Sequence, residues 1–365
     1  MGALRLLLAL SVVAGHTSAI RWLPLAQAGA AVQIFFVISG FYMALILNEK
    51  YIGAGSYRIF IANRFVRIYS VYLVVAAATA VLALTLHTDI KLFDAQHLAE
   101  FGTRAKIFIF GSNIAIFGLD SFDFLALQDK ALVLATASSA HPLHVDEMRL
   151  VPQAWSLGVE LMFYLVAPFI VRQVRLLWFV GLASLALRVV LWQIGLADKI
   201  WSYNFFPTSL ALFALGGLLY HAQRTPLFQR WAPTLAPFAI YATALALFTY
   251  SDLPGLLSWA LLIASVPFLF HLTKRNAFDR LVGELSYPIY LVHYFFIYAF
   301  GALWPEFERS GRFSSVCALL SIVVGFLLYW RVALPVDRWR DRLTQRALRA
   351  APSAPEQIRG APIAL

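Results

Sequence analysis

GAAVQIFFVISGFYMALIL (Gly29–Leu47) runs for 19 residues without one charged side chain. At a helical rise of about 1.5 Å per residue it covers about 28 Å, the thickness of a bilayer's hydrocarbon core. It has no polar stripe to turn toward water, so it reads as a transmembrane helix rather than an amphipathic helix of a soluble domain. Nine further windows of similar character flank it, and the ten run approximately over 4–20, 29–47, 68–86, 152–171, 176–194, 203–220, 233–250, 255–272, 283–304 and 313–334. The pattern predicts an all-α polytopic membrane bundle of about ten transmembrane helices. Composition agrees: 61% of the 365 residues are apolar and 13% are charged, about half the charged share of a soluble domain, and mean hydropathy is +0.74.

The formal charge of +10 does not point to nucleic acid, because the basic residues flank apolar runs instead of forming a separate tract. The single cysteine, Cys317, lies within an apolar run and excludes an intrachain disulfide framework or a thiolate metal cluster; no metal is expected. The first apolar run is expected to stay with the chain, since Arg5 alone is a thin positive region for a signal peptide. Charge then orients the bundle. With a cytoplasmic start, 19 basic residues fall inside and 9 outside, as the positive-inside rule requires. Counting Ile107–Leu119 as an eleventh span reverses the bias to 10 against 18, so that short stretch is read as re-entrant or interfacial and both termini as cytoplasmic.

This topology places residues 87–151 outside as a 65-residue segment holding eight carboxylates. Such a loop is either a lid over the bundle or a surface that binds an acceptor. The domain plan is a membrane core over 1–334 and a basic tail over 335–365, whose Trp339-bearing first part is expected on the inner leaflet and whose Pro- and Ala-rich end is expected to fray. No internal repeat of the inverted-repeat transporter kind is visible.

Ionisable side chains at bilayer depth are costly and mark functional sites unless they pair. His16, Glu160, Arg188 and His293 stand out, and counting along their spans puts all four near one plane. Each has a structural alternative: an interhelical hydrogen bond for the histidines, a buried ion pair for Glu160 and Arg188, or a haem held between His16 and His293. On the cytoplasmic side Arg64 and Arg67 follow Arg58, and helical i, i+3 spacing would put Arg64 and Arg67 on one face, suited to phosphate or to lipid headgroups.

Several ordered blocks resemble the integral-membrane acyltransferase-3 family, which includes O-acetyltransferases of the exopolysaccharide-production type. Arg5 and His16 are separated by ten residues, as in that family's Arg-x10-His pattern; FFVISGF (Phe35–Phe41) is similar to its second block and Arg64-Phe-Val-Arg67 to its RxxR. WSLGVELMFYLVAP (Trp155–Pro168) carries Glu160, and GELSYPIYLVH (Gly283–His293) carries His293. The resemblance departs in the span ending ALGGLLYH, where Ser209 stands ahead of Gly216 in place of an arginine. It implies transfer of an acyl group, usually acetyl, from cytoplasmic acetyl-CoA or another acyl-CoA to a hydroxyl of an extracytoplasmic or lipid-linked glycan, by a multi-pass protein of the cell inner membrane.

On that resemblance Arg5, Arg64 and Arg67 are expected to hold the coenzyme A phosphates. His16 is the expected general base or acyl carrier, Glu160 its orienting carboxylate, and Arg188 a partner of Glu160 or of the thioester oxyanion; His293 has a catalytic or a packing role. The competing class is a transporter or flippase of a surface-glycan precursor, with no acyl chemistry. Oligomeric state is not legible.

Overall fold

The computed structural model describes residues 1–17, 27–53, 55–86, 88–134, 145–196, 200–248 and 255–350. Every expected window holds a helix. In chain order the helices are α1 (Gly2–Thr17), α2 (Ala28–Glu49), α3 (Ser56–Leu86), α4 (Ala95–Glu100), α5 (Thr103–Ala115), α6 (Trp155–Ile170) and α7 (Val174–Gln193). They continue with α8 (Phe206–Gln223), α9 (Pro226–Phe248), α10 (Gly255–Thr273), α11 (Ala277–Leu303), α12 (Pro305–Glu308), α13 (Phe313–Leu328) and α14 (Leu334–Ala350). A small antiparallel hairpin, β1 (Leu125–Gln128) and β2 (Ala131–Leu134), interrupts the long connection. Among the described residues eight segments are long and apolar enough to cross a membrane. The two remaining expected spans are the 16-residue α1 and the 18-residue α8; residues 18–20 and 249–250 of the expected windows lie outside the described residues. The protein is an all-α polytopic bundle.

Contacts at one end of the bundle give its parity. Asp279 at the start of α11 accepts from the Gly2 and Ala3 amides at 2.8 and 2.9 Å. Arg172, just past α6, donates to Tyr51 O at 2.7 Å, His221 near the end of α8 meets Val171 O at 2.8 Å, and Tyr220 donates to Glu49 at 3.0 Å. The starts of α1 and α11 and the ends of α2, α6 and α8 therefore share one face. Lys50 pairs there with Asp341 of α14 at 3.4 Å, so α1 begins and α13 ends on the same side, as an even number of crossings requires. We call this the basic face, because Arg5, Arg58, Arg64, Arg67, Lys274 and Arg280 lie on or near it.

Three boundaries differ from the sequence expectation. Helix α3 begins at Ser56 rather than near residue 68 and is 31 residues long, about 46 Å against a core of about 30 Å; the surplus carries Arg58, Arg64 and Arg67 on helix instead of loop. Residues 87–151 are not wholly external. Helix α5 turns down into the bundle, where Ala115 O accepts the Tyr69 hydroxyl and Phe117 packs on Phe65 with ring centroids 5.6 Å apart. The chain reverses through Ile116 and Gly118, at φ 62° and 86°, and its return is pinned by the buried Arg149–Asp123 pair at 2.5 Å. Charge counting had excluded 107–119 as a span, and the structure shows why it is apolar: it is a re-entrant element. Finally, α14 does not lie apart from the core. It follows α13 through a π-turn over Tyr329–Ala333 and docks on α3, where Thr344 accepts from Asn63 at 2.6 Å and Arg340 donates to Asn63 O at 3.3 Å. Trp339 stays exposed on the other side; residues 351–365 lie outside the described residues.

Helices α2 and α8 pack closely because glycine lets their backbones meet. A Cβ on Gly40 would stand 2.0 Å from Phe213 O, and one on Gly216 2.0 Å from Val37 O. Substituting Gly40→Val is expected to cost at least the 1–3 kcal/mol typical of overpacking. It should appear as a lower unfolding temperature in detergent; an unchanged temperature would mean that the two helices do not close this far.

Candidate active site

A cavity of about 220 Å³ opens in the basic half of the bundle between α1, α2, α3, α6, α10 and α11. Five basic side chains line it, Arg5, Arg64, Arg67, Lys274 and Arg280, against three carboxylates, Glu160, Asp279 and Glu284. Each is delivered by local sequence logic. Asp279 binds the first amides of α1, and a Cβ on Gly2 would lie 1.6 Å from Asp279 O. The small residue thus lets α1 seat against α11 and turns Arg5, one helical turn later, into the cavity. The Arg5 guanidinium carbon stands 5.9 Å from the Tyr42 ring centroid, a cation–π placement. Arg64 and Arg67, three apart on α3, share a face. Arg67 is bonded to Glu284, whereas Arg64 Nε is buried with no hydrogen-bond partner among the described residues.

Glu160 sits deeper, on α6, and accepts from Ser39 of α2 at 2.8 Å and from the Tyr164 hydroxyl. The cavity ends at Tyr290 of α11 and Ser156 of α6, whose hydroxyls are 2.7 Å apart. Gln153 closes the same junction by donating to Tyr290 O at 3.1 Å and Leu291 O at 2.7 Å. Pro152 and Trp155 therefore lie at mid-depth beside Tyr290, not at the outer surface as the count along span four assumed. The re-entrant element fills the space above: the Cβ position of Gly158 is 3.1 Å from Asp120 Oδ1.

Beyond Tyr290 the structure brings His16 and His293 together. Their rings stack with centroids 5.2 Å apart and 18° between planes, and His293 Nε2 is 3.2 Å from His16 Nδ1. His293 is fully buried and its Nδ1 lies 2.7 Å from Tyr290 O; His16 is exposed. For a neutral pair these two contacts are satisfied by one arrangement of hydrogens. A carbonyl only accepts, so His293 Nδ1 carries the hydrogen and Nε2 the lone pair; His16 must then donate from Nδ1, which leaves its lone pair on Nε2. Two imidazoles sharing a hydrogen bond leave no layer for a macrocycle between them, so the haem alternative does not fit this geometry. Tyr294 adds a third ring, 5.0 Å from His16.

The sequence-derived constellation is thus regrouped. Glu160 is bonded to Ser39 and Tyr164 rather than to an imidazole, and His16 meets His293 instead. Arg188 does not pair with Glu160: it lies on α7, donates from Nε to Thr208 O at 2.9 Å, and is absent from the cavity lining. Helix α7 packs on α8, and this bond, with Ser184 donating to Pro207 O at 2.7 Å, clamps the start of α8. Ser209, where the resemblance departs, is buried and donates to Tyr203 O at 3.2 Å. Sequence reasoning passed over Glu284, Tyr290, Ser156 and Ser39 as site residues. All four lie inside the quoted blocks, and for Glu284, Tyr290 and Ser156 the signal present was a noticed residue on the same helix, His293 or Glu160.

In this multi-pass helix bundle the basic cavity and the histidine pair thus lie on opposite sides of Tyr290. The family model described as an acyltransferase domain matches residues 1–331; the chain belongs to the acyltransferase-3 family and is a membrane acyltransferase. No curated protein and no solved structure matches it.

Proposed function

We propose that this acyltransferase takes an acyl group, acetyl in the simplest case, from acyl-CoA at the cytoplasmic face and passes it to a hydroxyl of a glycan presented from the other side of the inner membrane. One observation carries the proposal: the basic cavity ends at Tyr290, one helical turn below His293, on the far side of which His16 is exposed. Arginines at the mouth suit the coenzyme's phosphates, since guanidinium forks match phosphate oxygens. The apolar lining beneath them, Phe35, Ile38 and Leu157 among it, suits a pantetheine arm.

Transfer requires the Tyr290–Ser156 contact at the end of the cavity to open so that the thioester reaches His16, and the tautomers then set the chemistry. His16 Nε2 takes the proton of the acceptor hydroxyl as its oxygen attacks the thioester carbonyl. The C–S bond breaks, and the thiolate recovers the proton from the imidazolium. His293, through its acceptor Nε2, holds His16 with Nδ1 as donor throughout, a positioning role of the kind the third member of a triad plays. Glu160, with Ser39 and Tyr164, stands nearer the arginines and is assigned to the arm of the donor, not to the proton transfer.

Binding of acetyl-CoA to detergent-purified protein tests the donor assignment directly. Titration calorimetry should show binding to the wild type that weakens at least tenfold, about 1.4 kcal/mol, in Arg64→Ala, where no ion pair among the described residues is disturbed. Absence of binding to folded wild type would remove the coenzyme and favour transport of a glycan precursor. Sidedness has its own check. Cys317 is fully buried and should stay silent to a membrane-impermeant maleimide, so Arg58→Cys should label only from the cytoplasmic side and Lys130→Cys only from outside; the reverse pattern would invert the proposal.

A further inference from the structure

A carboxylate occupies the place where the donor's anion should go. Glu284, one residue beyond Gly283 on α11, lines the cavity and is bonded to Arg67, with side chains only 17% and 23% exposed. Arg5, Arg64 and Arg340 lie within electrostatic reach of the same carboxylate. Arginines from α1 and α3 that line the cavity, and Arg340 of α14, thus act on one largely enclosed carboxylate. Arg340 is itself 6% exposed and held by Asp337 at 2.9 Å and by Asn63 O, so this basic shell is built into the fold rather than gathered from mobile side chains.

Such a shell would repel itself if empty. A buried cation left unpaired is strongly unfavourable, which is why buried charges come in pairs. Glu284 relieves that repulsion in the absence of ligand, yet any anion entering the cavity must share or take over Arg67. The exchange has a chemical condition. An uncharged thioester offers Arg67 nothing in return for the carboxylate, whereas a phosphate provides several charged oxygens and bidentate bonds to the same fork. Arg64, whose buried Nε has no partner among the described residues, is the contact available before exchange.

We propose that Glu284 is the resident anion of the cavity, exchanged on Arg67 for a phosphate of the acyl donor, and that it thereby makes the cavity select phosphate-bearing donors over uncharged thioesters. The inference rests on the donor reading given above. It concerns a specificity-determining residue, since Glu284 bonds the arginine and not the reacting atoms.

The test compares wild type with Glu284→Gln by calorimetric titration of two probes, coenzyme A and the phosphate-free thioester S-acetylpantetheine. Removing the resident anion should tighten coenzyme A binding about tenfold, steepen its dependence on salt, and leave S-acetylpantetheine within about twofold of wild type. Glu284→Asp keeps the charge but draws it back from Arg67, and it should tighten coenzyme A binding by a smaller factor. It also serves if the glutamine variant does not fold. Coenzyme A binding that is unchanged or weaker in the folded variants, with wild type binding normally, overturns the resident-anion role and leaves the donor reading standing. Wild type that binds S-acetylpantetheine as tightly as coenzyme A overturns the selectivity. Failure of wild type and both variants alike to bind coenzyme A overturns the donor reading and this inference with it.

Discussion

Replacing His16 with Ala is expected to abolish acyl transfer, with a loss in the 10²- to 10⁴-fold range that general-base catalysis supplies, while acetyl-CoA still binds. The two effects separate because His16 lies beyond Tyr290 and outside the cavity lining. His293 sharpens the expectation. His293→Gln offers an amide oxygen in place of Nε2 and so keeps an acceptor for His16 Nδ1. His293→Leu offers none and frees the ring to adopt the wrong tautomer, so it should fall toward the alanine variant. Thiol release from acetyl-CoA in reconstituted vesicles measures all three, with monodisperse elution as the check on folding. Equal activity of the glutamine and leucine variants would reduce His293 to a packing residue, and retained turnover in His16→Ala would remove that imidazole from the mechanism.

The second large effect is on stability and separates Arg67 from Arg64. Arg67→Ala leaves Glu284 buried among its neighbours without its bonded partner, and breaking one side of a buried pair costs about 3–5 kcal/mol. Pairing Arg67→Ala with Glu284→Gln removes both charges and should recover most of that loss without recovering donor binding. Arg64→Ala breaks no ion pair among the described residues and should keep its unfolding temperature while losing affinity. Thermal unfolding in detergent beside calorimetric binding reads both quantities. If the double variant is no more stable than Arg67→Ala alone, the Arg67–Glu284 contact is not what holds α3 to α11.

Helix placement was legible because bilayer crossing is a local property: about 20 apolar residues suffice, whatever packs beside them. Each of the ten windows holds a helix, and the bias of basic residues excluded Ile107–Leu119 as a crossing. The site was legible only in part. Arg5, Arg64, Arg67, Glu160 and His293 sit inside recognisable blocks, and a common height could be counted from helical rise. Height does not give azimuth, however. Two residues at one depth can face each other or opposite sides of the bundle, and that is how Arg188 came to be grouped with Glu160 although α7 turns it to the start of α8.

The sequence by itself determined the class of fold, the placement of its apolar helices and the residues too polar to be idle in a membrane. Tertiary structure alone decided that His16 meets His293, that Glu160 bonds Ser39 and Tyr164, that α5 re-enters the bundle, and that Glu284 lines the arginine cavity. Each of those depends on contacts between segments far apart in the chain, such as the 277 positions that separate His16 from His293. No local pattern encodes such contacts; close approach of helices at glycines like Gly2, Gly40 and Gly216 brings them about.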